Sequence, residues 1–232
     1  MSTENINLNH ENEQENKGLN VGEIVSNSEK FIEKNKKIII TVLAVIVLGI
    51  AAWFSYQNFI VAPRETKVQE ELFAAQKYFE QEDFKKALEG DGKHAGLLSI
   101  IDEYGSTKGG SLANYYVGNI YLRQGEYNKA IEFLSNYKGN DKIMATQVKA
   151  LIGDAYAELG QLDKAINNYK DALKTRNIMT TPFVLLKLGQ VYEMQKNNAE
   201  ALNCYKQIKT EFPESIEYRE VEKYISRLEN LQ

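Results

Sequence analysis

A fixed repeat period constrains this chain more than any other feature of its sequence. The pattern Gly-x-x-Tyr, with alanine nine residues after the tyrosine, occurs three times, at Gly118/Tyr121/Ala130, Gly153/Tyr156/Ala165 and Gly189/Tyr192/Ala201. The glycines are spaced 35 and then 36 residues apart. A period of this length is typical of helix pairs that stack into a solenoid. Solenoids of this kind offer long grooves to other proteins, so the pattern predicts a binding function.

Composition favours an all-α fold and narrows the kinds of function. Only 3 of the 232 residues are proline, and helix-forming residues are abundant. The net charge of −4 gives no basic surface suited to phosphate backbones, so nucleic-acid binding is not expected. The single cysteine, Cys204, cannot form an intramolecular disulfide and lies in a helical pattern, where a small buried residue is predicted.

The first 37 residues, 1–37, are predicted to be a polar tail. Its first half has too little apolar content to offset the entropy of ordering. Further on, Ile24, Val25, Phe31 and Ile32 share one helical face. This face has two interpretations: a juxtamembrane amphipathic helix that lies on a membrane, or a helical lead-in with no lipid role.

Residues 38–62 contain no charged side chain and are predicted to form a transmembrane helix. At ~1.5 Å per residue the stretch reaches ~37 Å, more than the ~30 Å hydrocarbon layer. Trp53, Phe54, Tyr56 and Phe59 follow at its far end, as aromatic residues do at membrane interfaces. A cleaved signal peptide is the competing interpretation, but its first region would be 37 residues long, more than such peptides carry.

The charges beside this span predict its orientation. Lys30, Lys34, Lys36 and Lys37 precede it closely, whereas Arg64 and Lys67 are the nearby cations that follow. Because excess lysine and arginine stays on the cytoplasmic side, the tail is predicted to be cytoplasmic. In a bacterium, residues 63–232 would then lie in the periplasm, held at the inner membrane by a single-pass anchor.

Residues 63–232 are predicted to be helical throughout. A long helix is expected over 70–88, broken by Gly90-Asp91-Gly92, and another over 97–104, followed by a glycine-rich break over 105–110. Three repeats are predicted at about 111–144, 146–179 and 182–215. A final amphipathic helix over 216–231 would cover the apolar end of the stack. Residues 72–104 look like a degenerate additional copy with a glycine-rich insertion.

The repeats resemble the tetratricopeptide repeat family. The third copy carries its pattern most fully, with Leu188-Gly189, Tyr192, Ala201, Tyr205 and a closing Pro213. The glycine and alanine of each copy are expected to let paired helices approach closely, with the first tyrosine of each copy filling the gap beside them. Gly125 and Gly160 suit the turn between paired helices, and an asparagine of Lys196-Asn197-Asn198 is expected to replace glycine in the third turn. These residues are all structural.

The resemblance implies that binding residues lie on the concave face, which the first helix of each pair forms. The first copy contributes Leu112, Tyr115, Asn119, Leu122 and Arg123. The second contributes Gln147, Ala150, Asp154, Ala157 and Glu158, and the third Phe183, Leu186, Gln190, Glu193 and Met194. The alternative for part of this set is packing between helices. The clamp with which some members hold chaperone C-termini is absent, because Asn119 alone matches it. The groove is mixed apolar and acidic, which suits helices or extended polypeptide with apolar anchors.

The order of tail, span and repeat domain also resembles the membrane-anchored ancillary subunit of the bacterial Sec translocon. This implies a non-catalytic, chaperone-like factor whose groove meets translocating polypeptide or periplasmic partners, among them the translocon and periplasmic chaperones. The alternative is a structural adaptor of a division or cell-wall complex. No enzyme activity, cofactor or metal is predicted, because His10, His94 and Gly90-Asp91-Gly92 fit neither a metal set, a catalytic triad nor a phosphate loop.

Overall fold

The computed structural model describes residues 21–230, with side chains from residue 32 onward. These residues form helices and no strand, which confirms the all-α class for this part of the chain. The predicted tail before residue 21 and the last two residues of the chain lie outside the described residues. The helices are α1 (Val21–Tyr56), α2 (Ala62–Glu80), α3 (Phe84–Glu89), α4 (Leu97–Tyr104), α5 (Lys108–Arg123), α6 (Tyr127–Ser135), α7 (Lys142–Glu158), α8 (Leu162–Ala172), α9 (Thr181–Met194), α10 (Asn198–Glu211) and α11 (Ile216–Glu229), with a π-helical segment at Gln57–Val61.

The chain divides into two compact units, Met1–Gln57 and Asn58–Gln232. Of the described residues, one helical stretch, Ile32–Glu80, is long and apolar enough to cross a membrane, and none of its most apolar part is buried. Large apolar side chains such as Val45, Leu48 and Trp53 are exposed along α1. This stretch meets the criteria for a membrane span by length and composition only, and a signal sequence near the N-terminus would meet the same criteria.

In the second unit, helices α2 to α11 pack mainly on their neighbours along the chain. The most extensive contacts join α5 to α6, α7 to α8 and α9 to α10, and each of these pairs also contacts the next. The core consists of aliphatic and aromatic side chains removed from water, which is the main force that holds such a stack together. Its largest fully buried members include Ile100, Ile120, Leu134, Tyr169 and Tyr205.

Side-chain caps fix where several helices begin. Asp83, Thr107, Asp141, Asn197 and Ser215 each accept a hydrogen bond from a backbone N–H three residues later, at the starts of α3, α5, α7, α10 and α11. Each cap satisfies one of the backbone donors that a helix start leaves unpaired. The local sequence therefore sets the boundaries of the helix pairs.

The turns between paired helices use one backbone geometry at one repeat position. Glu82, Gly125, Gly160 and Lys196 have φ of 58°, 77°, 70° and 60°, and each lies four residues after a tyrosine of the pattern or its equivalent, Tyr78. The expectation that an asparagine would take this role in the third turn is wrong, because Lys196 adopts the left-handed conformation. Asn197 instead caps α10, a role that its short acceptor side chain suits better.

The helix expected over 70–88 is wrong in its boundaries. Helix α2 ends at Glu80, and α3 begins at Phe84 after a turn that contains neither glycine nor proline. Glu82 makes this turn in the left-handed conformation, which few residue types favour, so the sequence carries no strong signal for it. With α2 and α3 separated, Ala75 and Ala87 lie buried on either side of the turn with the spacing of the repeat pattern.

Two glycines expected in the break over 105–110 belong to the start of α5. Gly109 and Gly110 are buried in the first turn of this helix. A Cβ atom on Gly109 would lie 2.5 Å from Cγ1 of Val68 in α2, and one on Gly110 would meet the backbone oxygen of Tyr104. Glycine is therefore required here for the close approach of α5 to α2 and α4.

The glycines of the repeat pattern face the second helix of each pair. A Cβ on Gly153 would lie 2.7 Å from Cε1 of Tyr169, and one on Gly118 would lie 2.5 Å from Cγ of Leu134. At Gly189 the nearest ring atom belongs to Tyr205. The side chain over each glycine therefore comes from the second helix of the pair, and the filling of the gap beside the glycines by Tyr121, Tyr156 and Tyr192 stays a prediction.

Helix α11 packs on the last repeat. Val221, Ile225 and Leu228 are buried, and they belong to the same apolar cluster as Tyr205 and Ile208 of α10. The ring of Tyr224 stacks on that of Tyr205, with 5.1 Å between centroids. The apolar stripe of α11 therefore covers apolar side chains of α10.

Candidate functional site

Two open clefts lie along helix α9, each with a volume of ≈ 320 Å³. The first, called here the apolar cleft, is lined by Tyr115, Gln147, Ala150, Leu151, Met179, Thr180, Phe183 and Val184. The second, called here the acidic cleft, is lined by Leu122, Tyr127, Asp154, Ala157, Glu158, Tyr169, Lys187, Gln190, Val191 and Met194. Both clefts receive side chains from the first helices α5, α7 and α9, so they share one face of the stack.

The apolar cleft is bordered by large apolar side chains that stay accessible to water. Phe183 is 40% exposed and Met179 is 70% exposed, and Tyr115 and Leu151 are half-buried. A buried core would normally take such side chains, so their grouping at an open cleft is a feature of interaction surfaces. An aromatic or large aliphatic side chain of a partner would fit there.

The loop between α8 and α9 holds one side of the apolar cleft in place. The Asn177 side chain accepts hydrogen bonds from the backbone N–H groups of Met179 and Thr180, at 2.9 and 2.8 Å, and donates to Oγ1 of Thr180 at 2.7 Å. The backbone N–H of Asn177 donates to Oγ1 of Thr181 at 2.8 Å. This network ties the loop to the first turn of α9 and turns Ile178, which is 82% exposed, and Met179 to solvent.

The acidic cleft has two carboxylates with different surroundings. Oδ1 of Asp154 accepts a hydrogen bond from the Tyr169 hydroxyl at 2.7 Å and lies 3.2 Å from Nζ of Lys187. Burial, together with this carboxylate, raises the pKa of the Tyr169 hydroxyl far above its ordinary value. Glu158 is exposed and accepts one hydrogen bond, from the Tyr127 hydroxyl at 3.3 Å. The Asp154 carboxylate therefore has a cationic partner, Lys187, whereas the Glu158 carboxylate faces solvent.

Lys187 links the two clefts. Its Nζ atom lies 5.5 Å from the centroid of the Phe183 ring and also pairs with Asp154. Because Phe183 lies one helical turn before it, the ammonium group reaches over the ring and into the acidic cleft. The lysine thus occupies the border between an aromatic and a carboxylate surface.

Eight of the residues predicted to form the groove line one of these clefts. Tyr115, Gln147 and Phe183 line the apolar cleft. Leu122, Asp154, Glu158, Gln190 and Met194 line the acidic cleft. The two alanines added from the second copy divide between them, with Ala150 in the apolar cleft and Ala157 in the acidic cleft.

The other five predicted groove residues line neither cleft. Leu112 packs against the apolar cluster around α2 and α4, and Leu186 is buried. Arg123 pairs with Glu82 at 3.2 Å, and its guanidinium lies 5.1 Å from the Phe79 ring centroid. Asn119 accepts a hydrogen bond from Nε of Arg123 at 3.2 Å. Glu193 accepts a hydrogen bond from the Tyr205 hydroxyl and pairs with Arg227 of α11.

Several cleft residues were not predicted from the family pattern. Tyr127 and Tyr169 come from the second helices α6 and α8, and Met179 and Thr180 come from the loop before α9, all outside the positions that the pattern assigns to the groove. The position of Lys187 near the clefts could have been predicted, because it follows Phe183 by four residues and so lies on the same helix face. In the described part of the chain, no group of three or more histidine, cysteine, aspartate or glutamate side chains is placed to hold a metal ion.

Sequence models of two known families match this chain. The sequence model of the tetratricopeptide repeat-like domain matches residues 64–193, and that of the tetratricopeptide repeat matches residues 183–215. The chain belongs to the tetratricopeptide repeat family. Both clefts are built from residues within the matched tetratricopeptide segments. A search of curated proteins gives no match.

Solved structures show the same fold. One crystal structure of MamA superposes with a TM-score of 0.56 at 17% identity, and the match covers 71% of this chain and 83% of the MamA chain. A second crystal structure of MamA superposes with a TM-score of 0.52 at 18% identity, and the match covers 67% of this chain and 92% of the MamA chain. The TPR-like repeats of a kinesin light chain from Podosopora anserina superpose with a TM-score of 0.55 at 14% identity, covering 72% of this chain and 87% of theirs. Identities this low show the tetratricopeptide solenoid fold alone. That fold is a scaffold for protein–protein interaction.

Proposed function

We propose that this protein is a membrane-anchored, non-catalytic scaffold or chaperone-like ancillary factor that presents its repeat groove to periplasmic partners or translocating polypeptide. The observation that carries the proposal is the pair of open clefts along α9. They group exposed apolar side chains beside an exposed carboxylate on the face that this family uses for binding. Such a surface suits a polypeptide segment better than a small molecule, because both clefts are open to solvent.

The proposed anchor is the apolar segment 38–62. Charge-free length and exposed apolar side chains support this role, and the lysines before it support a cytoplasmic N-terminus. An anchor of this kind would hold the groove near the membrane surface, where emerging or membrane-bound partners are concentrated.

Protease accessibility tests the proposed topology. An epitope tag placed after Gln232 should be digested in intact spheroplasts, because the proposal places residues 63–232 outside the inner membrane. A second tag before residue 21 serves as the matched control and should resist digestion until the membrane is lysed. Protection of the C-terminal tag in intact spheroplasts would overturn the proposed orientation.

Site-specific crosslinking in cells tests the proposed binding role. A photoreactive amino acid at Phe183 should capture translocon subunits, periplasmic chaperones or secreted polypeptides, whereas the same group at Phe73, an exposed residue of α2, should not. Repeated capture of one division or cell-wall protein at both positions would favour the structural adaptor. The proposal fails if Phe183 captures none of these and Phe183→Ala leaves the cellular role intact.

A further inference from the structure

The two clefts have different chemistry and a defined separation. Leu151 of the apolar cleft and Glu158 of the acidic cleft are seven positions apart on α7, and Phe183 and Gln190 are likewise seven positions apart on α9. With a rise of ~1.5 Å per residue, this separates them by ~10.5 Å along the helix axis. A ligand that fills both clefts must therefore place two different side chains about that far apart.

The charge of the acidic cleft is unbalanced. Two of the three nearby carboxylates have cationic partners, Asp154 with Lys187 and Glu193 with Arg227. Glu158 has the Tyr127 hydroxyl as its polar contact, and no cationic side chain of the described residues pairs with it. A lysine or arginine of a ligand would supply the missing charge, whereas an acidic ligand would meet repulsion.

The apolar cleft is prepared for one large side chain. Phe183, Tyr115 and Leu151 come from three different helices, and the hydrogen-bonded Asn177 loop positions Met179 beside them. Because this loop is already tied down, binding would order few additional groups. Burial of an aliphatic or aromatic side chain here would supply most of the affinity, as anchors in pockets generally do.

Resting on the function proposed above, we propose that the groove recognises a cationic amphipathic helix. One large apolar side chain of this helix enters the apolar cleft, and a lysine or arginine seven residues away meets Glu158. Seven residues are two helical turns, so the two side chains lie on one face of the ligand and ~10.5 Å apart. The ligand is thus a basic amphipathic helix with its apolar and cationic side chains on one face, not an acidic segment.

Peptide binding to the full-length protein in detergent micelles tests this proposal. The probe is a fluorescent helical peptide with a central leucine and lysines about seven residues before and after it, which covers both directions of binding. The same peptide with glutamates should bind at least about tenfold more weakly, because it faces Glu158 with like charge. Moving the lysines to the opposite face of the peptide should lower its affinity about two- to fivefold, which corresponds to the loss of one exposed ion pair.

Variants of the protein identify the subsites. Glu158→Gln should weaken binding of the lysine peptide about two- to fivefold and tighten binding of the glutamate peptide, while Glu132→Gln on α6 should change neither affinity. Phe183→Ala should weaken both peptides about tenfold, with Phe73→Ala as the control. Far-ultraviolet circular dichroism of each variant shows that the fold is retained. Added salt should reduce the preference for the lysine peptide.

The outcomes separate this proposal from the function on which it rests. If peptides bind and Phe183→Ala weakens them, but lysine and glutamate peptides bind equally, the groove binds polypeptide and the cationic preference is overturned. If lysine position has no effect, the helical spacing is overturned. If no peptide binds and crosslinking at Phe183 captures no partner, the proposed function itself is overturned.

Discussion

At the scale of single residues, the repeats depend on a glycine on one helix and a large side chain on the next. Tyr169 and Tyr205 lie over Gly153 and Gly189, and the hydroxyl of each donates a hydrogen bond to a carboxylate of the first helix, Asp154 at 2.7 Å and Glu193 at 2.6 Å. The ring packs where a methyl group would not fit, and the hydrogen bond satisfies the buried hydroxyl. In the first copy Leu134 takes the place of the ring, so that copy lacks the hydrogen bond.

Replacement of a pattern glycine should destabilise the fold through overpacking. In Gly153→Ala the new methyl group would press on the Tyr169 ring, and we expect a loss of about 1–3 kcal/mol in the free energy of unfolding. Urea denaturation followed by circular dichroism measures this loss. Gly49→Ala in α1, where a Cβ meets nothing within 4 Å and alanine is the better helix former, should cause no loss. Equal stability of the two variants would contradict the proposed contact.

Glycine at the third turn should stabilise the protein. Lys196 has φ of 60°, a conformation that costs an ordinary residue about 1–2 kcal/mol and glycine much less. Allowing for the greater freedom of glycine in the unfolded chain, Lys196→Gly should raise the free energy of unfolding by about 0.5–1 kcal/mol, or the Tm by ~1–4 °C. Thermal denaturation checks this gain. Lys85→Gly inside α3 should lower the Tm instead. A lower Tm in both variants would contradict the proposed strain at Lys196.

At the scale of elements, the stack depends on helices that cover their neighbours. Helix α11 buries Val221, Ile225 and Leu228 against α10, and Arg227 and Lys209 form ion pairs that join α11 to α9 and α10. These ion pairs are exposed and each is worth little, so apolar burial holds the helix. Loss of this burial would expose the apolar surface of the last repeat.

Shortening a buried side chain of α11 should therefore lower the stability of the repeat domain. Leu228 is 1% exposed, and Leu228→Ala is expected to lower the free energy of unfolding by about 2–4 kcal/mol. Ile216 starts the same helix but is 80% exposed, so Ile216→Ala should change stability by less than about 0.5 kcal/mol. Chemical denaturation of both variants provides the comparison. A large loss at Ile216, or none at Leu228, would show that α11 packs differently.

At the scale of the whole molecule, several buried groups hold their protons more tightly than the unfolded chain does. Burial raises the pKa of the Cys204 thiol from 9.0 to about 12. Burial and the adjacent carboxylates raise the pKa values of the Tyr169 and Tyr205 hydroxyls above their ordinary 10.0. The folded chain therefore retains protons at alkaline pH that the unfolded chain releases.

Stability should decline at alkaline pH for this reason. Below about pH 9 both states hold these protons, so the contribution to stability is complete; as pH rises above about 9–10 the unfolded state loses them first, and the free energy of unfolding falls. Urea denaturation at about pH 8 and pH 11 measures the decline. A variant with both Tyr169→Phe and Tyr205→Phe should decline less steeply. A constant free energy of unfolding over this range would contradict the assignment.

Sequence reasoning predicted the helix pairs well where the repeat pattern is complete, and less well elsewhere. The sequence indicated a degenerate copy over 72–104, but its Ala75/Tyr78/Ala87 pattern was missed because alanine replaces glycine and the spacing to Gly118 is 43 residues. Relative to the 36-residue spacing this is an excess of 43 − 36 = 7, the length of the segment Gly90–Gly96 between α3 and α4. An insertion inside a helix pair thus conceals a periodic signal.

The cleft residues show a different limit of sequence reasoning. Positions on the first helix of a pair, such as Phe183 and Gln190, were predicted from the resemblance to the tetratricopeptide repeat family, and both line a cleft. Met179 and Tyr169 reach the clefts from a loop and a second helix, and their placement depends on how neighbouring elements pack. The pairing of Lys187 with Asp154, which leaves Glu158 as the unpaired charge, likewise requires the arrangement of α7 against α9.

The packing of each helix on its neighbours along the chain has a consequence for how the protein is made. Contacts between sequence neighbours require the closure of short loops, and chains dominated by such contacts fold in microseconds to milliseconds. Synthesis proceeds at ~5–20 residues per second, so each helix pair has time to form before the next is complete. The repeat domain can therefore assemble progressively from its N-terminal end, and the apolar face of each finished pair is covered by the next pair along the chain instead of by a distant partner.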